Sequence, residues 1–317
     1  MEKKPLIILT GPTAVGKTQA SIGLAKAIGG EIISADSMQV YKSMDIGSAK
    51  ITTEEMDGVP HYLVDVLEPD EEFHVVRFQT MAKEALQKIY ANGKIPIVVG
   101  GTGFYIQALL YDIDFTESTE DSAFRKQLEE IALKEGSEYL HAMLQKVDPK
   151  AAEEIHANNV KRVIRALEFY EQTGLKISEH NEKERQKESP YNFCYFVLTD
   201  ERSVLYERIN ARVDLMLKKG LIDEVRALKE RGYTKDMVSM QGLGYKEILD
   251  YLNGELSLEE AIYILKRDTR HFAKRQLTWF RRECEVTWIE KNKFKHKEQQ
   301  ILDYMLTELR ERNIISC

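Results

Sequence analysis

Over the first 110 residues, short apolar runs alternate with segments whose apolar positions recur at helical spacing. Leu6–Leu9, Glu31–Ser34, Tyr62–Val66 and Ile95–Val99 read as strands. After Lys17 the apolar positions Ile22, Leu24, Ala25 and Ile28 predict a helix that Gly29-Gly30 stops; a second, over Val75–Tyr90, stops at Asn92-Gly93. Such alternation predicts a parallel sheet covered by helices, with ligands at the carboxyl ends of its strands.

The pattern changes from Thr116 to Ser189, where charged helical segments at Phe124–Lys134, Ser137–Gln145 and Asn158–Thr173 carry no convincing strand. Strand character returns at Phe193–Leu198. The chain therefore divides into an α/β core, residues 1–115 with 190–317, and an all-helical insertion, residues 116–189. The charged stretch Glu182–Glu188 reads as the return linker, or as a solvated helix. The last third predicts helices at Val204–Lys219, Ile222–Arg231, Tyr245–Leu252 and Leu258–Arg282, a strand at Val286–Glu290, and a helix ending near Arg312.

A hydrophobic content of 43% over 317 residues is enough to bury a substantial core. No apolar run approaches the roughly 20 residues that span a bilayer. The start, Met1-Glu2-Lys3-Lys4-Pro5, leads directly into a strand, so a cytoplasmic protein is expected. Cys194, Cys284 and Cys317 are too scattered for a disulfide framework or a zinc knuckle, and the first two read as core or near-core fillers. A net charge of −7 argues against nucleic-acid binding by the whole surface but leaves room for a local basic patch.

The first strand runs into Gly-Pro-Thr-Ala-Val-Gly-Lys-Thr, Gly11 to Thr18, the pattern G-x-x-x-x-G-K-[ST] between a strand and a helix. Glycines turn backbone N–H groups onto an anion, Lys17 adds a charge, and the Thr18 hydroxyl can ligate Mg²⁺. The fold expected is a P-loop NTPase-like parallel sheet. Asp36 follows the second strand, as a candidate general base or as the cap of the next turn. The strand at Ile95–Val99 ends in Gly100-Gly101-Thr102-Gly103 without the acid that nucleotide-hydrolysing P-loop proteins place there.

Two basic groupings interrupt the acidic background. Lys161, Arg162 and Arg165 lie in the insertion; Lys266, Arg267, Arg270, Lys274, Arg275, Arg281 and Arg282 crowd one helix with Phe272, Trp279 and Phe280. That helix reads as a track for a phosphate backbone, or as a solvated face over a buried one. Between the groupings, Gln241-Gly242-Leu243-Gly244-Tyr245-Lys246 forms a glycine-punctuated turn before a helix.

Taken together, GPTAVGKT, ISADSMQVYKSMDIGSAK, VGGTGFY, NNVKRVIRALE, QGLGYKE and KRQLTWFR resemble the signatures of the bacterial tRNA dimethylallyltransferase (tRNA isopentenyltransferase) family, in order from Pro5 to about Ile289. That resemblance implies transfer of a dimethylallyl group from dimethylallyl diphosphate to the exocyclic amine of the adenosine on the 3′ side of the anticodon. It implies that Gly11, Thr13, Ala14, Val15, Gly16, Lys17 and Thr18 hold the donor diphosphate, with Mg²⁺ on Thr18. Asp36 becomes the base on the amine, Lys17 a catalytic charge, and Thr102 a group that orients Asp36.

The implied partner is the anticodon stem-loop of tRNA. Its implied contacts are Asp36, Ser37, Met38, Gln39, Thr102, Arg125, Lys161, Arg162, Arg165, Gln241, Gly242, Gly244, Lys246, Lys274, Arg275, Gln276, Trp279 and Arg281. Some relatives carry Arg where this chain has Gln241. A monomer and no membrane partner are expected. A small-molecule or nucleoside kinase is the alternative, since a P-loop with a nearby Asp also activates a hydroxyl; it leaves the basic helix unexplained.

Overall fold

The computed structural model describes residues 3–115 and 123–316. Met1, Glu2, Thr116 and Cys317, named above, lie outside the described residues. The chain forms two compact units, Met1–Leu110 with Pro190–Cys317, and Tyr111–Ser189.

The first unit is built on six strands: β1 (Lys4–Thr10), β2 (Glu31–Ala35), β3 (His61–Tyr62), β4 (Pro96–Gly100), β5 (Tyr191–Thr199) and β6 (Val286–Glu290). Their order is β3-β2-β4-β1-β5-β6, and every pairing is parallel. β1 is buried from Leu6 to Thr10 and lies between β4 and β5, as a near-continuous apolar run in a parallel sheet must. The chain reaches β2, β3 and β4 on one side of β1 before adding β5 and β6 on the other, so the crevice at the switch opens over the end of β1. Helices Lys17–Ile28 and Glu298–Glu311 pack on one side of this core, sharing an apolar cluster with Leu9, Phe196 and Ile289.

Most strand and helix positions read from the sequence hold within a residue or two, and the exceptions have local causes. The strand expected over Tyr62–Val66 shrinks to His61–Tyr62, because Leu63 and Asp65 take left-handed backbone angles (φ 62° and 60°) that end the ladder. The helix expected to reach Arg282 ends at Phe280. Cys194 is buried as expected, but Cys284 is exposed just past that helix end.

Every element of the second unit among the described residues is a helix. Its core joins Leu128, Leu140, Leu144, Val163, Ile164 and Leu167. The helix Pro149–Glu154 escapes the sequence reading, and the helix Ile177–Arg185 starts ahead of the charged stretch Glu182–Glu188 and covers its first half, as the helical reading of that stretch expects. Asp148 ties them together: Ala151 N–H, Ser178 N–H and the Ser178 hydroxyl all donate to its carboxylate, at 3.0, 2.9 and 2.7 Å.

Candidate active site

β1 delivers the phosphate loop, and the backbone there is one that only glycine permits. Gly11 sits at φ 147°, and a Cβ on it would lie 2.3 Å from the Leu198 carbonyl oxygen on β5. Gly16, at φ 97°, opens the helix Lys17–Ile28, and no side chain caps that end, so the first-turn N–H groups face the loop. Val15 anchors the loop from beneath, fully buried in the core. Lys17 Nζ donates to the carbonyls of Gly11 and Pro12 at 2.9 and 3.0 Å, which holds the ammonium across the loop. Burial pulls the Lys17 pKa down to about 8; Arg212 pushes it the same way and Asp36 opposes both.

Arg212 is the chief residue that sequence reading misses. It comes from the helix Arg202–Lys218 and donates from Nη1 to the Thr13 hydroxyl at 3.4 Å. Burial lowers its proton affinity, against the attraction of Asp36 and Glu55. Lys17, Arg212 and Asp36 thus share one electrostatic environment, two cations and one carboxylate around the phosphate loop. Nothing in the local sequence of this helix marks Arg212 apart from the other arginines; only folding brings it to Thr13.

Asp36 leaves β2, and its Oδ1 accepts from the N–H groups of Met38 and Gln39 at 2.8 and 3.3 Å, so it caps the turn as one of its two expected readings has it. Its Oδ2 takes no part in that cap. Thr102 stands alongside through the backbone, its N–H donating to the Ala35 carbonyl at 3.3 Å. Gly100 makes this approach possible, since a Cβ there would meet the same carbonyl oxygen at 2.2 Å.

Gln276 is buried, with its Oε1 accepting from Thr13 N–H and its Nε2 donating to the Gly101 carbonyl, both at 2.9 Å. An amide with both ends so used joins the phosphate loop to the glycine loop after β4. Arg125 Nε and Nη2 form a two-point contact with the buried Glu168 carboxylate, at 3.0 and 2.6 Å, within the helical unit.

The loop after Asp36 is shaped from a distance. Glu224 accepts from the N–H groups of Asp45, Ile46 and Gly47 at 2.8, 2.7 and 3.0 Å, and from the Tyr245 hydroxyl at 2.8 Å. Tyr245 in turn accepts from Ser48 N–H at 3.1 Å, and a Cβ on Gly47 would strike its ring. Gln39 Nε2 donates to the Ala49 carbonyl at 3.2 Å and closes the loop. Met38 presses on Gly242, where a Cβ would come within 2.3 Å of its Cε. Gly244 takes φ 96° and donates to Glu247, Gln241 donates its amide to the Lys235 carbonyl, and Lys246 Nζ lies 3.4 Å from Glu247.

The basic helix Leu258–Phe280 divides its charges. Toward its start, Lys266 pairs with Asp214 at 2.6 Å, Arg267 with Asp268 at 2.8 Å, and Arg270 donates to Asn210 at 2.7 Å. Beyond it, Lys274, Arg275, Arg281 and Arg282 have no carboxylate partner among the described residues. Lys274, Arg275 and Arg282, with His271, Thr278 and Trp279, line an open groove of about 390 Å³. Trp279 packs its ring on Gly103 and edge-on to Phe104, 6.1 Å between centroids. In the second unit Lys161 and Arg162 are exposed and likewise have no carboxylate partner among the described residues, and Arg165 is half-buried on the same helix.

Comparison with known proteins places these features in company. The family model described as IPP transferase matches residues 39–283. The tRNA dimethylallyltransferase of Lachnoclostridium phytofermentans is 62% identical over 98% of this chain and 99% of its own. Among solved structures, the full-length tRNA isopentenylpyrophosphate transferase of Bacillus halodurans is 47% identical, with a TM-score of 0.73 and 98% of each chain covered. A eukaryotic dimethylallyltransferase captured acting on tRNA is 32% identical, with a TM-score of 0.79 over 90% of this chain and 74% of its own.

Proposed function

The chain belongs to the IPP transferase family, and on that premise we propose the reaction its residues perform. It transfers the dimethylallyl group from dimethylallyl diphosphate to N6 of the adenosine on the 3′ side of the anticodon in tRNA. The observation that carries this reading is the placement of Asp36 in the field of Lys17 and Arg212, at the mouth of a loop built for phosphate. An adenine amine is a weak nucleophile, its lone pair being delocalised into the ring. Asp36 Oδ2 accepts the N6 proton as the N6–C1 bond forms, a contribution of about 10²–10⁴-fold. The C1–O bond breaks with its electron pair going to the diphosphate, whose growing charge Lys17, Arg212 and the loop N–H groups stabilise.

Mg²⁺ fits this site as a companion of the diphosphate. Among the described residues no cluster of His, Cys, Asp and Glu could hold a metal alone. Mg²⁺ commonly takes few protein ligands and completes its shell with phosphate oxygens and water, so the Thr18 hydroxyl suffices as the protein's share. When bound, the ion would neutralise charge on the leaving diphosphate.

On the acceptor side the target base must leave its stack, at a cost of a few kcal/mol. Lys274, Arg275 and Arg281, and Lys161 and Arg162 of the helical unit, suit the RNA backbone, while Ser37, Met38, Gln39 and the Gly242–Gly244 turn suit the displaced nucleotide. The kinase alternative is not favoured: it has no use for these exposed cations, and the relatives are named for tRNA prenylation. The test is to incubate the protein with Mg²⁺, unmodified tRNA and dimethylallyl diphosphate, then weigh the digested nucleosides. A dimethylallyl mass gain on adenosine is expected, and its absence refutes the reading.

A further inference from the structure

Lys291 lies 276 positions from Val15 in the chain, yet its Nζ donates to the Val15 carbonyl at 3.3 Å. It opens the turn Lys291–Phe294 directly after β6, and it is buried, 3% exposed. Its one carboxylate neighbour among the described residues is Glu298, 2.6 Å away at the start of the helix Glu298–Glu311. A Cβ on Gly16 would lie 2.9 Å from the same Nζ, so the ammonium presses directly against the phosphate loop.

Burying an ammonium is costly even with a partner, and an apolar side chain of the same length would fill the volume. Lys291 cannot act as a bare charge on phosphate, because Glu298 offsets it and the loop backbone stands between. What it controls is the direction of one peptide. In a planar trans peptide the C=O and N–H point oppositely, so drawing the Val15 carbonyl toward Lys291 turns the Gly16 N–H away from it, into the loop. Gly16 at φ 97° is free to adopt the alternative angles that a turned-over peptide needs, and such a peptide would offer an oxygen to the diphosphate in place of an N–H.

We infer that Lys291 is a positioning residue for donor binding, which locks the Val15–Gly16 peptide with its N–H toward the diphosphate of an allylic donor. The inference rests on the proposed function, and its test keeps the two apart. Inorganic pyrophosphate with Mg²⁺ is titrated calorimetrically into the parent protein, Lys291→Arg, Lys291→Met, and the double variant Lys291→Met with Glu298→Gln, which leaves no stranded carboxylate.

In the double variant, pyrophosphate binding is expected to weaken about tenfold, the scale of one charge-assisted hydrogen bond. The KM for dimethylallyl diphosphate is expected to rise by a similar factor, with tRNA affinity and the cooperativity of thermal unfolding unchanged. Lys291→Arg retains the donor to Val15 and should bind pyrophosphate within a few-fold of the parent. Parental pyrophosphate affinity in the folded double variant overturns the positioning role. Failure of the parent protein itself to bind pyrophosphate overturns the diphosphate reading beneath it.

Discussion

The loops that leave β1 and β2, which the proposed function assigns to the donor and the acceptor, are held in shape by opposite means. The phosphate loop carries its own geometry: Gly11 and Gly16 adopt angles other residues resist, Val15 is rooted in the core, and Lys17 folds back onto the carbonyls of Gly11 and Pro12. The loop after Asp36 owes its shape to Glu224, almost 180 residues further on, whose carboxylate gathers three backbone N–H groups and the Tyr245 hydroxyl. Between them lies the glycine loop after β4, tied to one side by Gln276 and to the other by the Ala35 carbonyl. A diphosphate looks the same in every donor, so its loop can be a fixed motif; a folded RNA requires a surface assembled from distant parts.

If the two loops are separate devices, substitutions should divide by substrate. The largest effect is expected where they meet. Asp36→Asn keeps an oxygen to cap its own turn but no base, so kcat should fall by about 10²–10⁴-fold with tRNA affinity nearly unchanged. A filter-binding assay beside single-turnover kinetics checks this, and weakened tRNA binding would mean that the carboxylate acts on the loop and not on the proton.

Next come the cations of the donor side. Lys17→Met or Arg212→Met should lower kcat/KM for the donor by about 10²–10³-fold and leave tRNA affinity alone. Only charged Lys17 attracts the diphosphate, and its pKa is lowered to about 8 in the free protein. Pyrophosphate affinity should therefore be full below pH 8 and fall as pH rises through it. Lys17→Met should lack that inflection while keeping the titration of pyrophosphate itself, which separates the two contributions.

Replacing Lys274, Arg275 and Arg281 together by Ala should weaken tRNA binding and reduce the slope of log K against log salt by about 1 for each RNA phosphate no longer neutralised. The donor KM should not move; if it does, the basic helix acts on the diphosphate as well. The smallest effect is expected from Glu224→Gln, which removes the charge that gathers the acceptor loop. About a tenfold drop in kcat/KM for tRNA, at constant donor KM, matches the cost of one weakened charge-assisted cluster. Equal changes in both substrates' parameters would show that the two loops are one structural unit.

Much of this division is readable from the chain. Motif spacing locates the phosphate loop, and apolar periodicity locates the strands and most helices, because both depend on neighbours within a few residues. The same locality explains the errors. The strand after Val59 reads as longer than it is because periodicity does not reveal left-handed angles at Leu63 and Asp65. The loops that Gln276 joins are not legible either, because a helix of polar residues does not disclose which of them point inward.

By itself, then, the sequence determined the phosphate loop, the order of parallel strands and helices, the helical insertion and the concentration of basic residues toward the end of the helix Leu258–Phe280. Tertiary structure alone decided which remote side chains complete the site: Arg212 on Thr13, Gln276 across two loops, Glu224 beneath the acceptor loop and Lys291 behind Val15. The reason is physical. Local backbone preference acts over a few residues and leaves a pattern, whereas a hydrogen bond between residues 276 positions apart depends on how the whole sheet closes and leaves no trace in either neighbourhood.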